Sequence, residues 1–167
     1  MKMTDLMPVD KWLELEKELF DMFNLNAEVV EEDGTRITGK RLWCNSLCQK
    51  IRESDKGIGG ICAPAGQEFV RRTREDRLPF IDECDIALAK ISVPVVVNDE
   101  LVGAVGGCGP LPEGNELDDF MVTVTMGMED DEVCRLAKTI PTASQERLQE
   151  IQTYIEGKVA EIVAKHG

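Results

Sequence analysis

The stretch ISVPVVVNDELVGAVGG, residues 91–107, decides the fold. Two apolar, β-branched runs flank Asn98, Asp99 and Glu100, which is the pattern of a hairpin at the centre of an antiparallel sheet. Pro94 has no N–H to give to a ladder, so an edge position or a bulge is expected there. Alternation sets Ile91, Val93 and Val95 on one face and Ser92, Pro94 and Val96 on the other. Gly103, Gly106 and Gly107 leave room on the partner strand, either for a ligand or another backbone, or at a bulge or tight helix contact.

Upstream, LPFIDECD reads as a further strand ending near Cys84. Before it, a helix runs from about Ile61 to Asp76, and a shorter one lies between Asn45 and Ser54 with Leu47, Cys48 and Ile51 on one face. The three glycines of SDKGIGG are expected to break the chain between these helices. At the start, Pro8 and Asp10 open an amphipathic helix carrying Trp12, Leu15, Leu19, Phe20 and Phe23. AEVV, a turn at Asp33-Gly34, and TRIT then read as a strand, turn and strand.

Downstream, helices are expected over Leu117 to Met128 and around Asp131 to Lys138. A last amphipathic helix spans residues 144–165, capped near Thr142 or Ser144. Its stripe of Leu148, Ile151, Ile155, Val159 and Ile162 can pack on the domain or on a second copy. These elements define an α+β fold, a central antiparallel sheet with helices packed over it and helices at both termini. With 167 residues and 43% hydrophobic content the chain can bury one core, and a single domain over 1–167 is expected.

The formal charge of -13 repels nucleic acid and anionic lipid, so neither is an expected partner. No apolar run has the length of a signal peptide core or a membrane span, and a cytoplasmic protein is expected. A reducing compartment disfavours a disulfide framework, so the six cysteines are filler, reactive thiols or metal ligands.

Cys44 and Cys48 would share a helix face if the helix reached back to Cys44; Cys62 opens the next helix, and Cys84 ends a strand. Thiolates bind zinc and iron–sulfur clusters, and with His166 the only histidine a metal site would be nearly all cysteine. The spacing matches neither a zinc ribbon nor a ferredoxin. Cys108, in GGCGP, reads as filler, as a fourth ligand or as a pocket residue, and Cys134 reads as filler. A dithiol switch is the third reading, favoured at Cys62 by a helix start and opposed at Cys84 by Glu83 and Asp85.

The order N-x-L-C at Asn45 to Cys48, Cys62 after a glycine-containing gap, E-C-x-x-x-L at Glu83 to Leu88, and VPVVVNDELVGAVGG at Val93 to Gly107 resembles the PocR sensory domain. That is a PAS-like or GAF-like module of bacterial and archaeal signalling proteins, and the resemblance covers roughly Leu13 to Ile155. It implies a sensor of small organic molecules, with Cys48, Cys62 and Cys84 at the family's cysteine positions and the hairpin flooring the pocket. Two positions depart from the family. Asp85 replaces the histidine that commonly follows the third cysteine, and Ala87 replaces a glycine two residues on.

The expectation is therefore a signalling sensor domain. It binds a small ligand between walls from Trp43, Phe80, Ile91, Val93, Val95 and Val105, or a centre held by Cys44, Cys48, Cys62, Cys84 and Cys108, either an iron–sulfur cluster or zinc. The alternatives are an iron–sulfur electron carrier, whose acidic surface would suit a basic partner, and the dithiol switch. An enzyme is not expected, because no histidine lies near a nucleophile and no phosphate loop or paired-carboxylate motif is present. The chain carries no helix-turn-helix or kinase signature after Ile155, so output is expected through a homodimer or a signalling partner.

Overall fold

The computed structural model describes residues 1–166; Gly167, the last residue of the expected domain, lies outside it. The central hairpin joins β3 (Ala89–Val97) to β4 (Glu100–Cys108). Val97 pairs with Glu100, so the loop is two residues, Asn98 and Asp99, with φ of 50° and 65°. Positive φ at both positions is the type I′ turn, whose twist matches that of paired strands.

β1 (Asn26–Glu31) adds on the far side of β4, and β2 (Phe80–Glu83) on the far side of β3, giving an antiparallel sheet in the order β1-β4-β3-β2. Phe80 pairs with Ser92, so Pro94 lies beyond the end of β2 with no strand on that side, and the register of the hairpin shifts between Val95 and Val96. The proline thus has both the edge and the nearby bulge that its missing donor requires.

One face of the sheet packs against α1 (Met3–Leu6), α2 (Val9–Phe23) and α8 (Gln145–Ala164). Val93, Val95, Val97 and Val105 meet Trp12, Leu19, Leu148, Ile151 and Ile155 there. Burying each of these large side chains contributes about 1.5–3 kcal/mol. The stripe on α8 therefore packs on its own domain, Ser144 capping the helix by accepting from the Arg147 N–H at 3.0 Å. No described helix is long and apolar enough to cross a membrane.

The other face is roofed by α3 (Ser46–Arg52), α4 (Asp55–Gly57), a π-helical segment (Ile58–Cys62) and α5 (Ala63–Asp76). Behind this roof, α6 (Asp119–Met126) and α7 (Asp130–Ala137) close a second core around Leu47, Ile51, Ile61, Ile86, Leu88 and Val122. β5 (Leu111–Pro112) and β6 (Thr142–Ala143) pair in parallel and tie the two halves.

Two local expectations are corrected. The glycines after Ser54 do not break the helix; α4, the π segment and α5 form one helical run, because Gly57 and Gly60 serve close packing. A Cβ at Gly57 would lie 2.1 Å from the Ile51 carbonyl oxygen, and one at Gly60 2.5 Å from Thr125 Cγ2. Nor does TRIT form a strand. Only Arg36 bridges Val30, since its guanidinium turns inward to Glu16 at 2.8 Å and to the carbonyls of Ala27, Thr38 and Lys40. Glu16 also accepts from the Val29 N–H and the Thr38 hydroxyl, and it is 2% exposed. Burial raises its pKa, and Arg36 opposes that rise.

Candidate functional site

Alternation along the strands puts two polar rows on the roofed face. Asp82, Lys90, Cys108 and Asn26 are register partners across all four strands, and Phe80, Ser92, Gly106 and Glu28 form the next row. Gly106 has no side chain because the Ile91 carbonyl oxygen would lie 1.9 Å from a Cβ there. Gly103 and Gly107 are likewise closed by the Val30 and Asn26 carbonyls, at 2.2 and 2.6 Å. The glycines thus make room for neighbouring backbone.

Between this floor and the roof lies a cavity of about 420 Å³. Its floor includes Asn26, Glu28, Lys90 and Ser92, its roof Phe69, Thr73 and Gly66 of α5, and one end Arg41, Trp43 and Arg52. Thr73 Oγ1 and Ser92 Oγ hydrogen-bond at 3.0 Å, fastening α5 to β3. Lys90 Nζ donates to Glu28 Oε1 at 2.6 Å and lies 5.1 Å from the Phe69 ring centroid. Burial works against ionisation of Glu28, but Lys90, with Arg41 and Arg36, overcomes it and holds the carboxyl at about 2.

Four of the six thiols face this cavity: Cys48 from α3, Cys62 from the π segment, Cys84 from the β2–β3 loop and Cys108 from the end of β4. Asn45, the N-cap of α3, donates from Nδ2 to Cys48 Sγ at 3.3 Å and to the Gly109 carbonyl at 3.2 Å. Burial pushes the Cys84 thiol up to about 11 and drives Cys48 and Cys62 upward as well; Arg52 partly offsets the rise at Cys62. At Cys48, Cys62 and Cys84 burial therefore works against the thiolate, the form that a nucleophile or a dithiol switch uses.

Three cysteines depart from their expected settings. Cys44 precedes the helix cap, so it shares no helical face with Cys48; it is buried outside the cavity lining, and burial pushes its thiol up to about 12. Cys62 lies inside a continuous helical run, which removes the helix start expected to stabilise its thiolate. Cys134 is not buried filler: α7 buries Val133 and Leu136, and the intervening Cys134 is exposed. Among the described residues, no three His, Cys, Asp or Glu side chains are gathered as they would be around one metal ion.

Of the six expected wall residues, Trp43 lines the cavity; Ile91 borders it, but its side chain, on the face of β3 opposite Lys90 and Ser92, belongs to the core with the terminal helices. Val93, Val95 and Val105 lie in the core with the terminal helices, and Phe80 stacks behind Phe69 with ring centroids 4.8 Å apart. Sequence reading missed Asn26, Glu28, Arg41, Arg52 and Lys90. The available clue was a lysine in an otherwise apolar strand, two positions before Ser92 and so on the same face.

A four-stranded antiparallel sheet with helices over both faces and a cavity beneath one layer is the architecture of PAS- and GAF-like modules. The family model described as the sensory domain found in PocR matches residues 5–167, and the chain belongs to that family. No curated protein and no solved structure matches it.

Proposed function

We propose that this sensory domain detects a small molecule held in the cavity between the sheet and the α3–α5 roof, and reports occupancy through α2 and α8 to a partner protein or a second copy. The observation that carries this reading is that β3 serves both layers. Lys90 and Ser92 face the cavity, while Val93 and Val95 pack with the terminal helices.

A thermal-denaturation screen against small organic molecules tests it. A ligand at a hundred times its Kd adds about 2.7 kcal/mol of stability. Gly66→Leu should abolish that gain, because Gly66 lines the cavity and a Cβ there meets nothing within 4 Å. A ligand that stabilises Gly66→Leu equally well binds elsewhere and removes the reading.

A second reading rests on the four cavity thiols, Cys48, Cys62, Cys84 and Cys108, whose number and type suit an iron–sulfur cluster. Such a centre would make the domain a sensor of redox state or oxygen. Anaerobic reconstitution with iron and sulfide should then give a visible absorbance band that is lost in Cys48→Ser and Cys84→Ser and kept in Cys134→Ser. No band after reconstitution, or one indifferent to Cys48 and Cys84, eliminates the cluster.

A further inference from the structure

The cavity lining holds four basic side chains, and the fold gives ion pairs to only two of them. Among the basic side chains lining the cavity, Arg36 is paired with Glu16 at 2.8 Å and Lys90 with Glu28 at 2.6 Å. Arg41 and Arg52 also line it, and neither has an ion-pair partner among the described residues. Burial lowers the pKa of Arg41, repulsion from Arg36 and Arg52 adds to the fall, and Glu28, already paired with Lys90, opposes it. Of the acidic residues at the far rim, Glu31 accepts from the Met3 N–H and Asp33 from the Thr35 N–H, while Glu32 lies at the other end of β1 from Asn26.

A neutral donor stands with them. Asn26 is only 6% exposed and lines the cavity, yet its Nδ2 has no hydrogen-bond partner, the only such buried side-chain atom among the described residues. The amide cannot be reversed to relieve this, because Oδ1 accepts the Cys44 N–H at 2.6 Å. Gly109, at φ +123°, keeps the atom clear: a Cβ there would fall 2.7 Å from Nδ2. An unpaired buried donor in one cavity with two guanidiniums that have no ion pair makes a site for an acceptor with negative charge.

Resting on the reading of the cavity as a ligand site, we infer that its cationic end receives the carboxylate of a small organic acid, held by Arg41, Arg52 and the Asn26 amide. The guanidinium fork matches a planar carboxylate. The rest of the acid lies against Ile51, Ile61 and Phe69, which suits an apolar body within about 420 Å³.

The test compares aliphatic acids of two to eight carbons and benzoate with their own amides, which keep the shape and lose the charge. Trp43 reports binding: it lines the cavity with the Arg41 guanidinium 5.9 Å from its ring, while Trp12, the other tryptophan, is buried in the far core. At least one acid should bind about tenfold or more tightly than its amide, and Arg41→Gln and Arg52→Gln should each weaken it about tenfold. Exposed Arg135→Gln should leave binding unchanged. Asn26→Asp keeps the acceptor for Cys44 and replaces the free donor with a carboxylate oxygen, so it should abolish acid binding while circular dichroism shows the fold intact.

Amides binding as tightly as acids overturn the carboxylate and leave the cavity reading standing. So does a panel in which no acid binds while a neutral molecule from the thermal screen does. If nothing binds in either experiment, both readings fall.

Discussion

Ala87 stands where the family resemblance sets a glycine, and its φ of 73° shows why glycine belongs there. The loop folds on itself, the Ala87 N–H donating to Cys84 O and the Cys84 N–H to Leu88 O, both at 2.9 Å, which forces the left-handed conformation. A Cβ is strained in that region. Ala87→Gly should therefore stabilise the protein by about 1 kcal/mol in chemical denaturation; a loss of stability would mean that the Cβ contributes packing that outweighs the strain.

Glu28 and Lys90 make the second prediction at this scale. Glu28→Gln leaves a buried ammonium without its counter-charge and should cost about 3 kcal/mol at pH 7. The Glu28 pKa is about 2 in the folded protein against an ordinary value of 4.5, so its contribution is present above pH 4.5 and lost as pH falls from there toward 2. Denaturation between pH 7 and pH 3 should accordingly show a shallower acid loss in the variant than in the parent. Equal steepness would assign the acid sensitivity to other carboxylates.

At the scale of elements, the glycines at the α4–π–α5 junction separate packing from propensity. Gly59 is exposed, and a Cβ there touches nothing within 4 Å; at Gly60 it would press Thr125 of α6, and at Gly57 it would collide with the Ile51 carbonyl. Gly59→Ala should gain up to about 1 kcal/mol from helix propensity. Gly60→Ala should lose stability, since overpacking a tight contact costs about 1–3 kcal/mol, and Gly57→Ala should lose more because backbone cannot yield. A ranking that does not place Gly57→Ala lowest would refute this account of why the helix tolerates three glycines.

These same residues show what the sequence made legible. β-branched runs and a two-residue polar turn identified the central hairpin, because those signals are local. The glycines read as a break because their reason, α6 and the Ile51 carbonyl, comes from distant or folded-back chain. The candidate site was half legible for a related reason. Period-two alternation separated the faces of β3 correctly, but apolarity suggested Val93 and Val95 as cavity walls, while the terminal helices cover that side. Cys48, Cys62, Cys84 and Cys108 were identifiable by type; that they share one cavity follows from the roof folding over the sheet.

Over the whole molecule, the sheet is a partition with the cavity on one side and α2 and α8 on the other, and β3 is in contact with both α5 and α8. A ligand can shift the terminal helices only if it binds one of their arrangements better than the other. The fastening between Thr73 and Ser92 gives occupancy a handle on β3, because a ligand that draws α5 toward the floor also loads the strand whose far side carries Val93 and Val95. Amide hydrogen exchange with and without the best-binding acid should then show slower exchange in β3 and a change of at least about twofold within residues 148–159 of α8, across the sheet from the ligand. Thr73→Val should reduce the α8 response more than it reduces binding, since it removes the tie without touching the cationic end. If exchange changes only in α3, α6 and α7, the signal travels through the second core, which Cys48 and Cys62 join to the cavity, and the terminal helices are scaffold.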